Sequence, residues 1–582
     1  MKDFLKMTLA VICGLVVTTV ILCIIGFGAL GALLAVGSST PVLPKEGVLT
    51  LDMSKIVLAE QSTGTDPFSA IAGGSTTTIG IWDAVQAVNR AASDPAVQYI
   101  YLRTDNSASG LSGIEELRAA LENFRTTSGK AVVSYLEFPS LGGYYLASVA
   151  DKVYMSSYLG ATPMMTGVSA QMTFLGDLLS RLGINVQLIR HGKYKSAGEM
   201  YTRSSSSPEN REQYQRMVDS IWETMSGEIA LSRDLSAAQL DDAIDNLRLN
   251  LPQDFIDYGL ADELLTREGL EQKLATLAVE EDIKDVKFIP FADYVAASAP
   301  VVKSDKEIAV IYADGEIVDG GSGSDVDGSR FASIISRVRA DSTVKAVVLR
   351  VNSPGGSVIA SEKIKHELDR LAEVKPLIAS YGGYAASGGY WISNNCDKIY
   401  SDATTLTGSI GVFGMIPDFS GLASDKLHVN IETVSSGSHG DMFSGMKALD
   451  KTEYDFMQRS IESIYDKFTT TVSEGRGIPK ERVDEIGQGR VWTGADAMGL
   501  HLVDEIGTLE DAVNYAALCA GDVDLANWKV TGYPRAQTQM EQILEMFSGS
   551  SDEEGVLLGE FRRISEPTVM ARMDTRIEIC AD

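Results

Sequence analysis

The chain has 582 residues, 45% of them hydrophobic, and a formal net charge of −29 from 79 acidic against 50 basic side chains. That length accommodates two or more domains with real cores. The acidic balance excludes a nucleic-acid binder, which needs a basic footprint, and is read as solubility rather than cation binding. Five cysteines (Cys13, Cys23, Cys396, Cys519 and Cys580) show neither metal-ligand spacing nor a disulfide framework.

In chain order, residues 7–37 form an uncharged run rich in Leu, Val and Ile. About 20 apolar residues span a bilayer, so the run is long enough to cross one. Ala35-Val36-Gly37 resembles a signal-peptidase site, but the apolar stretch exceeds the roughly 7–15 residues of a cleaved signal. The reading is an uncleaved transmembrane anchor. Lys2 and Lys6 precede it, which puts residues 1–37 in and behind the membrane with a cytoplasmic N-terminus and the rest of the chain across it.

A linker, 38–46, leads to a strand-like run at 48–51, matched later by Ile308-Ala309-Val310-Ile311-Tyr312. Residues 296–305, rich in Ala, Pro and Ser, separate two units, 47–300 and 301–582. Residues 346–351 read as a buried strand, 362–373 as a helix with Ile364, Leu368 and Leu371 on one face, and 377–380 as the next strand. Longer helices are expected at 213–225 and 453–472, a polar loop at 548–555, and an alternating final strand at 572–579. The strand–turn–helix–strand rhythm predicts α/β units with largely parallel pairing.

The two units read as one domain written twice. Asp151-Lys152-Val153-Tyr154 recurs as Asp397-Lys398-Ile399-Tyr400, and Gly142-Gly143-Tyr144 recurs at the same offset as Gly388-Gly389-Tyr390. In that register Ser387 falls on Leu141, and Lys195 falls near Gly440, so neither repeat carries both groups. One composite site built from both halves is the expectation.

Three segments carry its chemistry. Asn352-Ser353-Pro354-Gly355-Gly356-Ser357 follows a buried strand as a tight turn, and Ala385-Ala386-Ser387-Gly388-Gly389-Tyr390 follows the next. A serine at a strand-to-helix turn is open to attack on a carbonyl. Backbone N–H groups of Gly388 and of Gly355 or Gly356 can form an oxyanion hole. The first repeat has Thr104-Asp105-Asn106-Ser107-Ala108-Ser109 where Pro-Gly-Gly should stand. The candidate base is Lys195 in Gly192-Lys193-Tyr194-Lys195-Ser196-Ala197, since burial can lower a lysine pKa into a working range. On a strand Lys193 would face the same side as Lys195. The rival is a Ser387–His439–Asp441 arrangement confined to the second repeat, weakened by a flexible polar context.

With these segments, and Leu406-Thr407-Gly408-Ser409-Ile410-Gly411 beside them, the chain resembles the signal peptide peptidase A (protease IV) family in its long tandem form. The resemblance implies two crotonase-like, Clp-protease-like α/β domains behind the membrane helix. It implies a homotetramer at a bacterial inner membrane, with periplasmic catalytic domains that degrade signal-peptide remnants and other apolar peptides. It further implies Ser387 as nucleophile, Lys195 as general base, Gly388 and the Pro-Gly-Gly turn as oxyanion donors, and Ser409 as the group that orients the lysine. No metal or cofactor is expected. Acyl-CoA chemistry on the same fold would need no Ser387 and sits poorly across a membrane from cytosolic CoA. A non-catalytic scaffold for hydrophobic segments would leave Ser387 dispensable.

Overall fold

The computed structural model describes residues 14, 41–62, 64–65, 76–159, 165–299, 302–320, 325–535, 568–573 and 578–580. All of the expected anchor but Gly14, and the polar loop at 548–555, lie outside these residues. Among the described residues no helix is long and apolar enough to cross a membrane.

Two sheets repeat one strand order. In the first, Glu263–Leu265, Lys152–Ser156, Val132–Leu136, Val97–Arg103, Gly47–Asp52 and Phe288–Pro290 lie side by side, with every pairing parallel. In the second, Glu505–Ile506, Lys398–Ser401, Leu377–Ala386, Val344–Ser353, Glu307–Asp314 and Lys529–Tyr533 follow the same path, again in parallel. Strands buried on both faces read as unbroken apolar runs, and Ala346-Val347-Val348-Leu349 is an instance, at most 1% exposed.

The duplication extends to single hydrogen bonds. The Asp151 carboxylate accepts from the Val132 N–H at 2.8 Å, and Asp397 accepts from Leu377 at 2.9 Å. Asp262 receives the Val153 N–H and Asp504 the Ile399 N–H, each at 2.8 Å. The Tyr144 hydroxyl donates to the Leu260 carbonyl and the Tyr390 hydroxyl to that of Leu502. The long helices also correspond: Pro208–Arg233 and Lys451–Arg476 are each 26 residues, longer than the apolar spacing alone predicts.

Two boundaries differ from the sequence expectation for local reasons. The helix expected at 362–373 is Val358–Ala372, because the Ser357 hydroxyl caps it by accepting the Ala360 N–H at 3.3 Å. The strand expected at 377–380 continues to Ala386, since Leu406–Gly408 pairs with its second half.

A third sheet joins the halves. Its order is Val326–Asp327, Ile317–Val318, Gly355–Ser357, Thr568–Arg572, Val412–Asp418, Asn185–His191. Val412–Asp418 from the second half runs antiparallel to Asn185–His191 from the first, over the full length of both. Nearby, Arg350 (0% exposed) is gripped by Glu60 at 2.7 Å and Glu116 at 2.6 Å, both from the first half.

Candidate active site

Ser387 ends the strand Leu377–Ala386 and opens the short helix Gly388–Ser393. Its backbone sits at φ 53° and ψ −109°, a region costly for a residue with a Cβ. Two backbone bonds hold it there: its N–H donates to the Gly408 carbonyl at 2.8 Å, and its carbonyl accepts from Trp391 at 2.7 Å. The equivalent position in the first half is Leu141, and the adjacent Ser140 is spent capping its own helix through the Gly143 N–H.

Lys195 arrives from the other half. The strand Asn185–His191 delivers the turn that follows it, and the paired strand Val412–Asp418 fixes its position. The Nζ of Lys195 lies 2.9 Å from Ser387 Oγ, 3.0 Å from Ser409 Oγ and 3.2 Å from the Ser409 carbonyl oxygen. The three residues are 1%, 0% and 1% exposed. Burial holds the lysine pKa well below its ordinary value of 10.5, because a charged ammonium here would forgo its hydration. The face of Phe413 lies 5.9 Å from Nζ.

Lys193 does not share that face. Residues 193–195 form a turn rather than a strand, so Lys193 is exposed, with its Nζ 4.9 Å from the Tyr194 ring centre, while Lys195 points inward. His439 also has other business. Its Nδ1 meets Glu453 Oε1 at 3.0 Å, and Asp441 pairs with Lys447 at 2.8 Å.

The Pro-Gly-Gly turn adjoins the serine. Gly355 has φ 94°, and a Cβ there would fall 2.5 Å from the Gly388 nitrogen, so only glycine permits the approach. The Gly355 N–H points to Ser353 Oγ at 3.2 Å, and Gly356 pairs with Ile317 on one side and Ala571 on the other.

Several supporting residues escaped the sequence reading. Gln213 Nε2 donates to the Tyr194 carbonyl (3.1 Å) and Ser196 Oγ (3.0 Å), while its Oε1 accepts the Val491 N–H (3.3 Å). It thereby ties the lysine turn to the second half. Arg190 Nη1 donates to the Lys195 carbonyl at 2.7 Å and to the buried Glu199 at 3.1 Å. Gly489 packs directly on the Lys195 backbone. The Gly487-Gln488-Gly489 run was the available signal for that contact, but it says nothing about what it faces.

Comparison with known proteins bears on this arrangement. The model of peptidase family S49 matches residues 124–280 and 369–522, one stretch in each half. The chain belongs to family S49. Among similar family members, Protease 4 of Haemophilus influenzae is 34% identical over 82% of this chain and 80% of its own. Protease 4 of Salmonella typhi is 34% identical over 87% and 83%. The chloroplastic serine protease SPPA of Arabidopsis thaliana is 31% identical over 73% and 64%.

Proposed function

We propose that this S49 peptidase is a membrane-anchored serine endopeptidase working through a Ser387–Lys195 dyad assembled from both repeats. The supporting observation is the 2.9 Å contact between Lys195 Nζ and Ser387 Oγ in a buried pocket that holds the lysine pKa well below its ordinary value. Neutral Lys195 takes the hydroxyl proton as Oγ attacks the peptide carbonyl, giving a tetrahedral oxyanion. Backbone N–H groups of Gly388 and of Gly355 or Gly356 hold that charge. The lysinium then returns the proton to the departing amine, leaving an acyl-enzyme. Water attacks the ester with Lys195 again as base, releasing the carboxylic product and restoring the serine. Ser409 keeps the amine aimed, the role the third member plays in a triad.

In this reading residues 7–37 anchor the enzyme in a bacterial inner membrane with units 47–300 and 301–582 periplasmic, assembled as a homotetramer. Its substrates are signal-peptide remnants and other apolar peptides. The test is hydrolysis of a fluorogenic apolar peptide by full-length detergent-solubilised protein, with Ser387→Ala and Lys195→Met beside it. Both variants should be inactive while folded. A Lys195→Met protein that keeps the activity Ser387→Ala loses would remove the lysine from the mechanism.

A further inference from the structure

The turn that carries Lys195 is entered through His191, the last residue of the strand Asn185–His191. Residues 487–490 face it and bind it together with the Ser409 segment. The Tyr194 N–H donates to the Gln488 carbonyl at 2.9 Å, the Gly489 N–H to that of Ile410 at 2.7 Å, and the Ser409 N–H to that of Arg490 at 2.8 Å. Whatever fixes His191 and Gln488 therefore fixes where the amine stands.

Tyr465, on the long helix Lys451–Arg476, holds both. Its buried ring is stacked on the His191 imidazole, with centroids 3.7 Å apart and planes 20° from parallel. Its hydroxyl donates to Asp484 at 2.6 Å and accepts the Gln488 backbone N–H at 3.3 Å and Gln488 Nε2 at 3.4 Å. Glu462, on the same helix, meets His191 Nδ1 at 2.6 Å. The duplication separates this duty from an architectural one. Trp222 stands at the same place in the first 26-residue helix, and its Nε1–H donates at 2.8 Å to Asp241. Trp222 and Asp241 are 19 residues apart, as are Tyr465 and Asp484. Each bond ties a long helix to the next one, Ala237–Asp245 or Lys480–Ile486. Trp222 packs on the first half's own core, whereas Tyr465 adds the grip on His191 and Gln488.

We propose that Tyr465 is a positioning residue for Lys195, a brace that keeps the lysine turn closed around the amine. This rests on the dyad reading of the site. Close-packed interiors transmit such contacts with little slack, so a loosened Gln488 lets the turn move off Ser387. Water then reaches the ammonium, and the lysine pKa climbs back towards its ordinary value. The loss falls on proton transfer, so kcat drops while KM stays.

The test uses the full detergent-solubilised chain. Tyr465→Phe keeps the stack and loses the hydroxyl, and Trp222→Phe breaks the matching tie in the first half. Tyr465→Phe should lower kcat by about ten- to a hundredfold at unchanged KM, and move the acid limb of the kcat/KM profile to higher pH. Trp222→Phe should lower the melting temperature to a similar degree and keep the parent's kcat and acid limb. A folded Tyr465→Phe protein with the parent's kcat and acid limb would overturn the proposal. Equal losses of kcat in both variants would also do so, since the tie would then be architectural alone. If Tyr465→Phe does not fold, His191→Leu, which removes the stack from the other side, carries the same expectation and the same refutation. Acetylation of Lys195 by acetic anhydride, read by mass spectrometry, separates the brace from the dyad. Faster acetylation in Tyr465→Phe, with an active Lys195→Met protein, would sink the dyad reading and leave the brace standing. Acetylation at the parent's rate, with Lys195→Met inactive, would keep the dyad and remove the brace.

Discussion

Replacing Gly489 by alanine should disable the enzyme without touching any reacting group. A Cβ at Gly489 falls 2.5 Å from Lys195 Cβ, 2.6 Å from its nitrogen and 2.7 Å from its Cα. Carbon atoms settle at about 3.5–4.0 Å, so the lysine turn must retreat by about 1 Å. The obstacle is backbone and Cβ, which no rotamer change relieves. Gly489 also has φ 78°, where an alanine costs about 1–2 kcal/mol. A retreat of that size takes the 2.9 Å amine–hydroxyl contact to about 4 Å, outside hydrogen-bond range. Misplacing a catalytic group by about 1 Å can cost about 10²-fold, equivalent to about 2.7 kcal/mol of barrier. The assay is kcat on a fluorogenic peptide, well below the melting temperature of each protein, with thermal unfolding followed in parallel. A folded Gly489→Ala protein with the parent's kcat would refute the claim that close packing on the Lys195 backbone positions the amine.

Three further outcomes are expected. Lys195→Met should melt above the parent: the lysine pKa is depressed on folding, so the parent has full stability above 10.5 and loses it as pH falls towards the lowered value. The gap in melting temperature should therefore widen as pH falls through that window, and a gap independent of pH would contradict the buried-amine argument. Glu115, which accepts the Ala403 N–H at 2.6 Å across the halves, has its pKa raised to about 7 by burial; its stabilising contribution is complete below about 4.5 and fades as pH rises through 7. Thermal melts from pH 5 to 8 should fall by about 2–4 °C, on the order of 1 kcal/mol for a partly solvated carboxyl, and Glu115→Gln should flatten that slope. Arg350→Met strands Glu60 and Glu116 as buried carboxylates and should cost about 3–5 kcal/mol in denaturant titration, with partial rescue when Glu116→Gln is added.

The sequence by itself determined what is local. Residues 346–351 and 377–380 announce themselves as buried strands because parallel strands covered on both faces need apolar runs, whereas the continuation of the second to Ala386 depends on its pairing with Leu406–Gly408. The duplication was legible for a related reason: Asp151 and Asp397 make the same backbone bond in each half, so the residues had to recur together. Ser387, the Pro-Gly-Gly turn and the Tyr-Lys-Ser-Ala stretch could be singled out as pieces. Only the tertiary structure decided how they meet. Lys195 and Ser387 are 192 residues apart, and what joins them is the pairing of Asn185–His191 with Val412–Asp418. Strand pairing is made by backbone groups common to every residue, so side-chain patterns do not name the partner. The final strand expected at 572–579 is corrected: among the described residues one strand, Thr568–Arg572, ends where it should begin and lies between the two strands flanking the serine. The last, Glu578–Cys580, pairs with Ser169–Gln171, neither partner being legible in the alternation. The buried lysine follows the same rule: its shifted pKa arises from the walls that close around it, and those walls come from both halves of the chain.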